Sequence, residues 1–137
     1  MNKKSFQIKE MSVEQFATFP LPETESKRVN IGLNIDLAFN DEKRIINCSI
    51  KVTMRLLEDI IITLQVKCVY SVESEELKKW AEDAELVTQV PLQLIQEIAD
   101  QTFATTRGVL YAKTEKTEYN IFVLPVFELT DAIKAAV

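Results

Sequence analysis

The feature that most constrains this chain is a strict alternation of apolar and polar residues over three consecutive segments. In residues 29–39 every second residue is apolar, and the pattern returns in residues 46–56 and 60–72. A period of two is that of a β-strand with one buried face. Turn-forming residues lie between the segments, at 40–43 and 58–59. The alternation therefore predicts a three-stranded antiparallel meander with one polar face.

A fourth strand is predicted before the meander, in residues 6–16. Phe6 and Ile8 share one phase of the alternation, whereas Met11 and Val13 share the other. A β-bulge near residues 9–10 would bring all four side chains to one face. The charged, turn-rich residues 22–28 are then a crossover loop, and we expect residues 1–137 to form a single domain.

From Pro91 onward the apolar residues follow helical spacing to about residue 112. Proline suits the first turn of a helix, where its missing N–H is not needed. The small residues on this helix either pack tightly against the chain's own sheet or form a helix-to-helix contact between subunits. The candidates for such an interface are Ala99, Thr102, Thr106 and Gly108. We expect leucine at Thr106 or Gly108 to disrupt folding or assembly by overpacking.

Composition excludes several classes of function. The chain has no histidine and only two glycines, which argues against histidine-based catalysis, most zinc sites and glycine-rich phosphate loops. We expect no enzymatic activity. A net charge of −5 argues against nucleic-acid binding. No apolar run approaches the length of a membrane span, and the amino terminus lacks the apolar core of a signal peptide, so we expect a cytoplasmic protein without membrane insertion.

Much of the negative charge lies in residues 73–85, which contain six acidic residues and two lysines. Such a run is usually a solvated connector. The alternative is a docking surface for a basic partner. The candidates for that surface are Glu75, Glu76, Glu82, Asp83 and Glu85.

Three places in the chain resemble the SecB family of export chaperones. Residues 8–14, Ile-Lys-Glu-Met-Ser-Val-Glu, resemble the opening strand of the family, and the strand arrangement that follows is similar. The helix after Pro91 and the Leu-Pro-Val-Phe block at 124–127 resemble the family's helix and closing block. The helix opens with Leu-Gln-Leu in place of the family's aromatic-Pro-aromatic signature. The chain therefore resembles a divergent relative of SecB more than a standard export chaperone. Such relatives include the branch of the family that is linked to toxin–antitoxin systems.

The resemblance implies an α+β fold, in which a four-stranded antiparallel sheet is packed on one face by a long C-terminal helix plus a short terminal helix. It implies a homotetramer built as a dimer of dimers. It also implies a holdase that binds unfolded or partner polypeptides in apolar grooves, without nucleotide or cofactor. The candidate groove residues are Phe16, Phe19, Leu21, Trp80, Tyr119 and Phe122. The alternative for each is that it caps the core at the end of the sheet.

Two other functions remain open. An oligomeric interaction or scaffold protein of the same fold would have lost client binding, and its aromatic connectors would be packed shut. A small-molecule binder or carboxylate enzyme would need convergent polar groups, which the sequence does not indicate.

The two cysteines are predicted to face each other. Cys48 and Cys68 fall on the apolar side of neighbouring strands, and a turn that leaves residues 57–59 unpaired places them directly opposite. In a cytoplasmic protein we expect two reduced, buried thiols and not a disulfide.

Overall fold

The computed structural model describes residues 4–40, 42–73, 86–87 and 90–136. It confirms the α+β class, with an antiparallel sheet, a long helix and a short C-terminal helix. The elements are β1 (Phe6–Thr18), β2 (Val29–Asn40), β3 (Ile45–Leu56), β4 (Asp59–Val72), β5 (Leu86–Val87), β6 (Val90–Pro91), α1 (Leu92–Thr114), a 3₁₀ turn (Glu118–Ile121) and α2 (Thr130–Ala136).

The main sheet has four strands in the order β1-β4-β3-β2. Strands β2, β3 and β4 form the predicted meander, and β1 pairs antiparallel with β4. Strands β1 and β2 are therefore the two edges of the sheet. Residues 19–28 carry the chain from one edge to the other, which confirms the predicted crossover.

Two bulges adjust the phase of β1. The first lies between Ile8 and Glu10, where the sequence predicts one, and the second lies between Val13 and Gln15. The second bulge was not predicted, although Phe16 lies three residues after Val13, which is a change of phase among the apolar side chains. With both bulges in place, the apolar residues of β1 all pair with inward-facing residues of β4. These residues are Phe6, Ile8, Met11, Val13 and Phe16.

The hairpin between β3 and β4 differs from the sequence-based prediction at one residue. Its turn is tight, since Leu56 already pairs with Asp59, and Leu57 adopts a positive φ of 57°. A register shift follows at Met54/Arg55, which places Ile60 opposite Arg55. The prediction that Ile60 faces the core is therefore wrong, and its side chain is exposed. The shift restores the predicted register beyond this point, including the pair of cysteines.

The core lies between the inner face of the sheet and the two helices. Helix α1 packs over β3 and β4, and α2 packs over β2. The inward side of α1 is buried through residues at helical spacing, among them Leu94, Ile95, Ile98, Phe103 and Leu110. Neither helix is centred over β1. Among the described residues, no helix is long and apolar enough to cross a membrane.

Candidate functional site

The inner face of β1 is apolar but uncovered. We define the β1 stripe as Ile8, Met11 and Val13, which point to the same side of the sheet as the core. Met11 is 59% exposed and Val13 is 42% exposed, although the β4 residues opposite them are fully buried. Because β1 is also an edge strand, its outer row of backbone N–H and C=O groups has no neighbouring strand in the sheet.

A second apolar surface follows α1. We define the C-terminal segment as residues 122–129, which connect the 3₁₀ turn to α2 and which Arg107 holds against α1. The Nε of Arg107 donates to the carbonyl oxygen of Leu124 at 2.8 Å, and Nη2 donates to that of Pro125 at 3.1 Å. The guanidinium carbon lies 5.1 Å from the ring centre of Phe103, a cation–π distance.

The C-terminal segment divides its apolar side chains between the core and the surface. Phe122, Leu124 and Leu129 are buried, whereas Val123 is exposed and Val126 is 87% exposed. An apolar group as exposed as Val126 contributes little to the stability of the chain itself, since it remains in water. The segment therefore presents apolar area that the fold does not use.

Two cavities flank the Arg107 anchor. One, of about 380 Å³, is lined by an apolar set that includes Gly108, Tyr111, Phe122 and Val123. The other, of about 470 Å³, is lined by Gln96, Asp100, Phe103, Arg107, Val126, Phe127, Glu128, Leu129, Thr130 and Ile133. We call these two cavities together the segment groove. In the second cavity the rings of Phe103 and Phe127 are stacked, with centres 5.9 Å apart.

The structure brings together part of the predicted aromatic groove. The hydroxyl of Tyr119 donates to the carbonyl oxygen of Phe19 at 2.5 Å, which ties the crossover loop to the 3₁₀ turn. Phe19 is exposed, whereas Phe16 and Leu21 are partly buried and pack against the core. Phe122 is buried and lines the smaller cavity. Trp80 lies outside the described residues.

The four small residues of α1 separate into two groups. Ala99, Thr102 and Thr106 are fully buried against the sheet of the same chain, which supports self-packing over a subunit contact for these three. Gly108 is exposed, and a Cβ added there would meet no atom within 4 Å. Leucine at Thr106 would therefore overpack the fold as expected, whereas leucine at Gly108 would not.

The predicted acidic docking residues Glu75, Glu76, Glu82, Asp83 and Glu85 lie outside the described residues. Sequence analysis missed Arg107, Val126 and the β1 stripe as surface features. A signal was present for Val126, which directly follows Pro125, since proline does not continue a central strand.

A buried polar cluster stands where the inner face of the sheet meets α1. Thr102 donates from Oγ1 to the carbonyl oxygen of Ile98 at 2.8 Å, and the hydroxyl of Tyr70 lies 2.7 Å from the same Oγ1. Cys48 and Cys68 pair across β3 and β4, as predicted, and both thiols are free. Burial raises the pKa of Cys48 to about 11 and raises that of Cys68 as well. These are therefore structural thiols with little thiolate at neutral pH.

No protein-family model matches the chain, and no curated protein sequence does. Among solved structures, the fold is similar to the Mycobacterium tuberculosis Rv1957 SecB-like chaperone, determined in complex with a ChAD peptide from the Rv1956 HigA1 antitoxin. The TM-score is 0.58, and the two are 12% identical over 90% of this chain and 91% of that one. The chain therefore has a SecB-like fold.

A protein of unknown function from Streptococcus agalactiae is also similar, with a TM-score of 0.47 and 11% identity over 90% of this chain and 96% of that one. At that score the likeness carries no argument about this chain.

Proposed function

We propose that this chain binds polypeptides as a SecB-like holdase, without nucleotide. The observation that carries the proposal is apolar surface left exposed on a SecB-like fold, in the β1 stripe and in the C-terminal segment. Contiguous exposed apolar surface of this kind typically marks an interaction site. The Rv1957 chaperone, which shares the fold, was determined with a bound peptide.

The segment groove is the proposed client surface. Its two cavities, of about 380 and 470 Å³, each have the size of a site for one or two side chains. They lie on either side of Arg107, so an extended client would place successive apolar side chains in the two cavities. Gly108 has no side chain to obstruct the smaller cavity, and a Cβ added there would meet no atom within 4 Å.

The β1 stripe is the proposed contact with a second copy of the chain. An apolar stripe on an unpaired edge strand supplies both apolar area and backbone hydrogen-bonding groups, which is what strand-mediated association uses. The dimer of dimers expected from the family resemblance remains part of this proposal.

The test is light scattering on a sizing column, with and without reduced, carboxymethylated α-lactalbumin, which stays unfolded. An assembly that carries this client through the column supports the holdase function. We expect Val126→Asp to abolish co-elution, because a carboxylate would occupy the apolar wall. Leu57→Asp is the matched control, since Leu57 is also an exposed apolar residue and aspartate tolerates its positive φ. Equal co-elution by both variants would reject the segment groove as the client site.

One observation favours a second candidate, an oligomeric scaffold protein that has lost client binding. Among the predicted groove residues that the structure describes, Phe122 is buried and both Phe16 and Leu21 pack against the core. Those connectors are closed, as the scaffold hypothesis expects. A defined assembly that never retains the unfolded client would favour this candidate.

A further inference from the structure

The outer face of the sheet carries a row of small residues that crosses all four strands. The register places Gly32 opposite Thr53, Thr53 opposite Thr63, and Thr63 opposite Ala17. All four lie on the face turned away from the helices, because their neighbours along each strand alternate into the core. We call this row the transverse trough. It lies on the opposite side of the sheet from the segment groove.

The glycine in this row is not required by the chain's own conformation. Gly32 has no positive φ, and a Cβ at this position would lie 3.8 Å from the nearest atom, the carbonyl oxygen of Thr53, which is ordinary contact. Glycine inside a strand lowers stability by roughly 0.5–1 kcal/mol relative to alanine. A strand glycine often marks a place where a ligand or another backbone approaches closely. Nothing within the described part of the chain makes such an approach at Gly32.

The floor of the trough holds a buried hydroxyl without a partner. Thr63 is only 8% exposed, and its Oγ1 makes no hydrogen bond with any described residue. A buried polar group left unpaired is destabilising by about 1–3 kcal/mol. Since this oxygen is inaccessible to solvent in the free chain, a backbone group or carboxylate lying in the trough would supply the missing partner after the Thr63 side chain turns toward it. The missing hydrogen bond of Thr63 is an observation independent of the small side chains in the row.

Basic residues flank the trough where it crosses β3. Lys51 and Arg55 precede and follow Thr53 on the same face of β3, so one stands on each side of the trough. The outward positions of β3 and β4 contain three basic residues and no acidic residue, although the chain has a net charge of −5. Those twelve positions are Ile45, Asn47, Ser49, Lys51, Thr53, Arg55, Ile60, Thr63, Gln65, Lys67, Val69 and Ser71. Neither Lys51 nor Arg55 forms a salt bridge among the described residues.

We propose that the transverse trough binds an extended acidic polypeptide segment that lies across the four strands. Lys51 and Arg55 stand two residues to either side of the floor, about 13 Å apart at the usual strand rise, which admits one extended chain. The trough crosses three strand spacings of about 4.8 Å each, a distance that about five extended residues of a peptide would span. Nucleic acid is the less favourable occupant, because three positive charges on an acidic chain neutralise few phosphates.

The probe is a fluorescein-labelled peptide of twelve residues, (Glu-Ser)₆, whose binding is followed by fluorescence anisotropy at 50 mM salt. The comparison peptides are (Gln-Ser)₆ and (Lys-Ser)₆, and a twelve-nucleotide single-stranded DNA tests for general polyanion binding. We expect the protein to bind only the acidic peptide. Lys51→Gln and Arg55→Gln should each weaken binding by about fivefold or more, since each removes one charge-assisted contact. Lys43→Gln removes the same charge from the turn at the other end of β3 and should have no effect.

Two variants test the floor of the trough. Gly32→Val fills it with a residue that favours strands, and should remove peptide binding without lowering the melting temperature. Thr63→Val removes the unpaired hydroxyl in nearly the same volume, and should weaken binding while keeping or raising stability. Co-elution with unfolded α-lactalbumin should be unchanged in both, because neither residue borders the segment groove. Failure of this proposal is thereby distinguished from failure of the holdase proposal.

Four results would overturn the proposal. Two of them concern the comparison probes: either the glutamine peptide or the DNA binds as tightly as the acidic peptide. The third is full binding by a stably folded Gly32→Val or Thr63→Val protein. The fourth is no binding of the acidic peptide to the unmodified chain at millimolar concentration.

Discussion

Strands β1 and β4 lie side by side with apolar residues on the same face, yet only β4 is buried. Val13 pairs with Val66, but Val13 is 42% exposed and Val66 is 1% exposed. Met11 and Cys68 show the same contrast across the same pair of strands. The difference lies above the sheet, where α1 covers β3 and β4 and leaves β1 bare. An apolar face is thus available for a partner where the chain lacks a helix to cover it.

The same substitution on the two paired valines should separate a core position from an interface position. Val66→Asp buries a carboxylate without a partner and should cost about 5 kcal/mol or more, which is enough to unfold the chain. Val13→Asp should leave the chain folded but dissociate the assembly, because its side chain is in water in the single chain. Circular dichroism and light scattering check the two outcomes. If Val13→Asp unfolds the chain or leaves the assembly mass unchanged, the β1 stripe is not a subunit contact.

Thr106 and Gly108, both on α1, should also differ in their response to substitution. Thr106 is buried, and its Oγ1 donates to the carbonyl oxygen of Thr102 at 2.7 Å. Thr106→Leu should cost about 3 kcal/mol by overpacking the space above the sheet. Gly108→Leu should not lower the stability of the single chain, since the side chain enters open space. Urea unfolding, at a protein concentration too low for assembly, measures the free energy of unfolding of both variants. An equal loss of stability in the two variants would contradict the structure.

The buried thiols predict a loss of stability at alkaline pH. The folded state raises the pKa of Cys48 from 9.0 to about 11 through burial, and it raises the pKa values of Cys68 and Tyr70 for the same reason. Cys48 binds its proton more tightly in the folded state, so its contribution is fully present below pH 9 and is lost as pH rises to about 11. The loss should be on the order of 2 kcal/mol for Cys48.

Urea unfolding at pH 8 and pH 11 measures this effect, with Cys48→Ala as the control that should show a smaller pH dependence. The opposite sign, a gain of stability above pH 9, would show that the thiols are not buried in their neutral form.

The smallest expected effect concerns Tyr70, the β4 residue opposite Ile8 of the β1 stripe. Tyr70→Phe removes the hydroxyl that lies 2.7 Å from Thr102 Oγ1, while Thr102 keeps its bond to Ile98. The expected loss is about 1 kcal/mol. Ile8→Val, at the exposed partner, should change the melting temperature by less than Tyr70→Phe does. A larger effect at Ile8 would mean that β1 is covered in the single chain.

Much of the fold was predictable because alternation and helical spacing are local signals. The bulge after Ile8 could be inferred from the change of phase between Phe6/Ile8 and Met11/Val13. The shift that exposes Ile60 could not, because three consecutive isoleucines fit either phase of a strand. Of the predicted groove residues, Tyr119 contacts Phe19 through a hydrogen bond to its carbonyl oxygen. The contact between Arg107 and the C-terminal segment could not be predicted, because it joins residues seventeen and eighteen positions apart and carries no local signature.

Side-chain period along the chain was enough to assign the main strands, the long helix and the apolar face of each. The facing pair of cysteines was predicted correctly, but the pairing depends on a tighter turn and a register shift near Ile60 that offset each other. Which apolar residues are covered does not follow from any local pattern. That outcome depends on where α1 and α2 lie across the sheet, and helix placement is set by packing between elements distant in the chain. The exposed β1 stripe, the segment groove and the transverse trough are all consequences of that placement and of strand order.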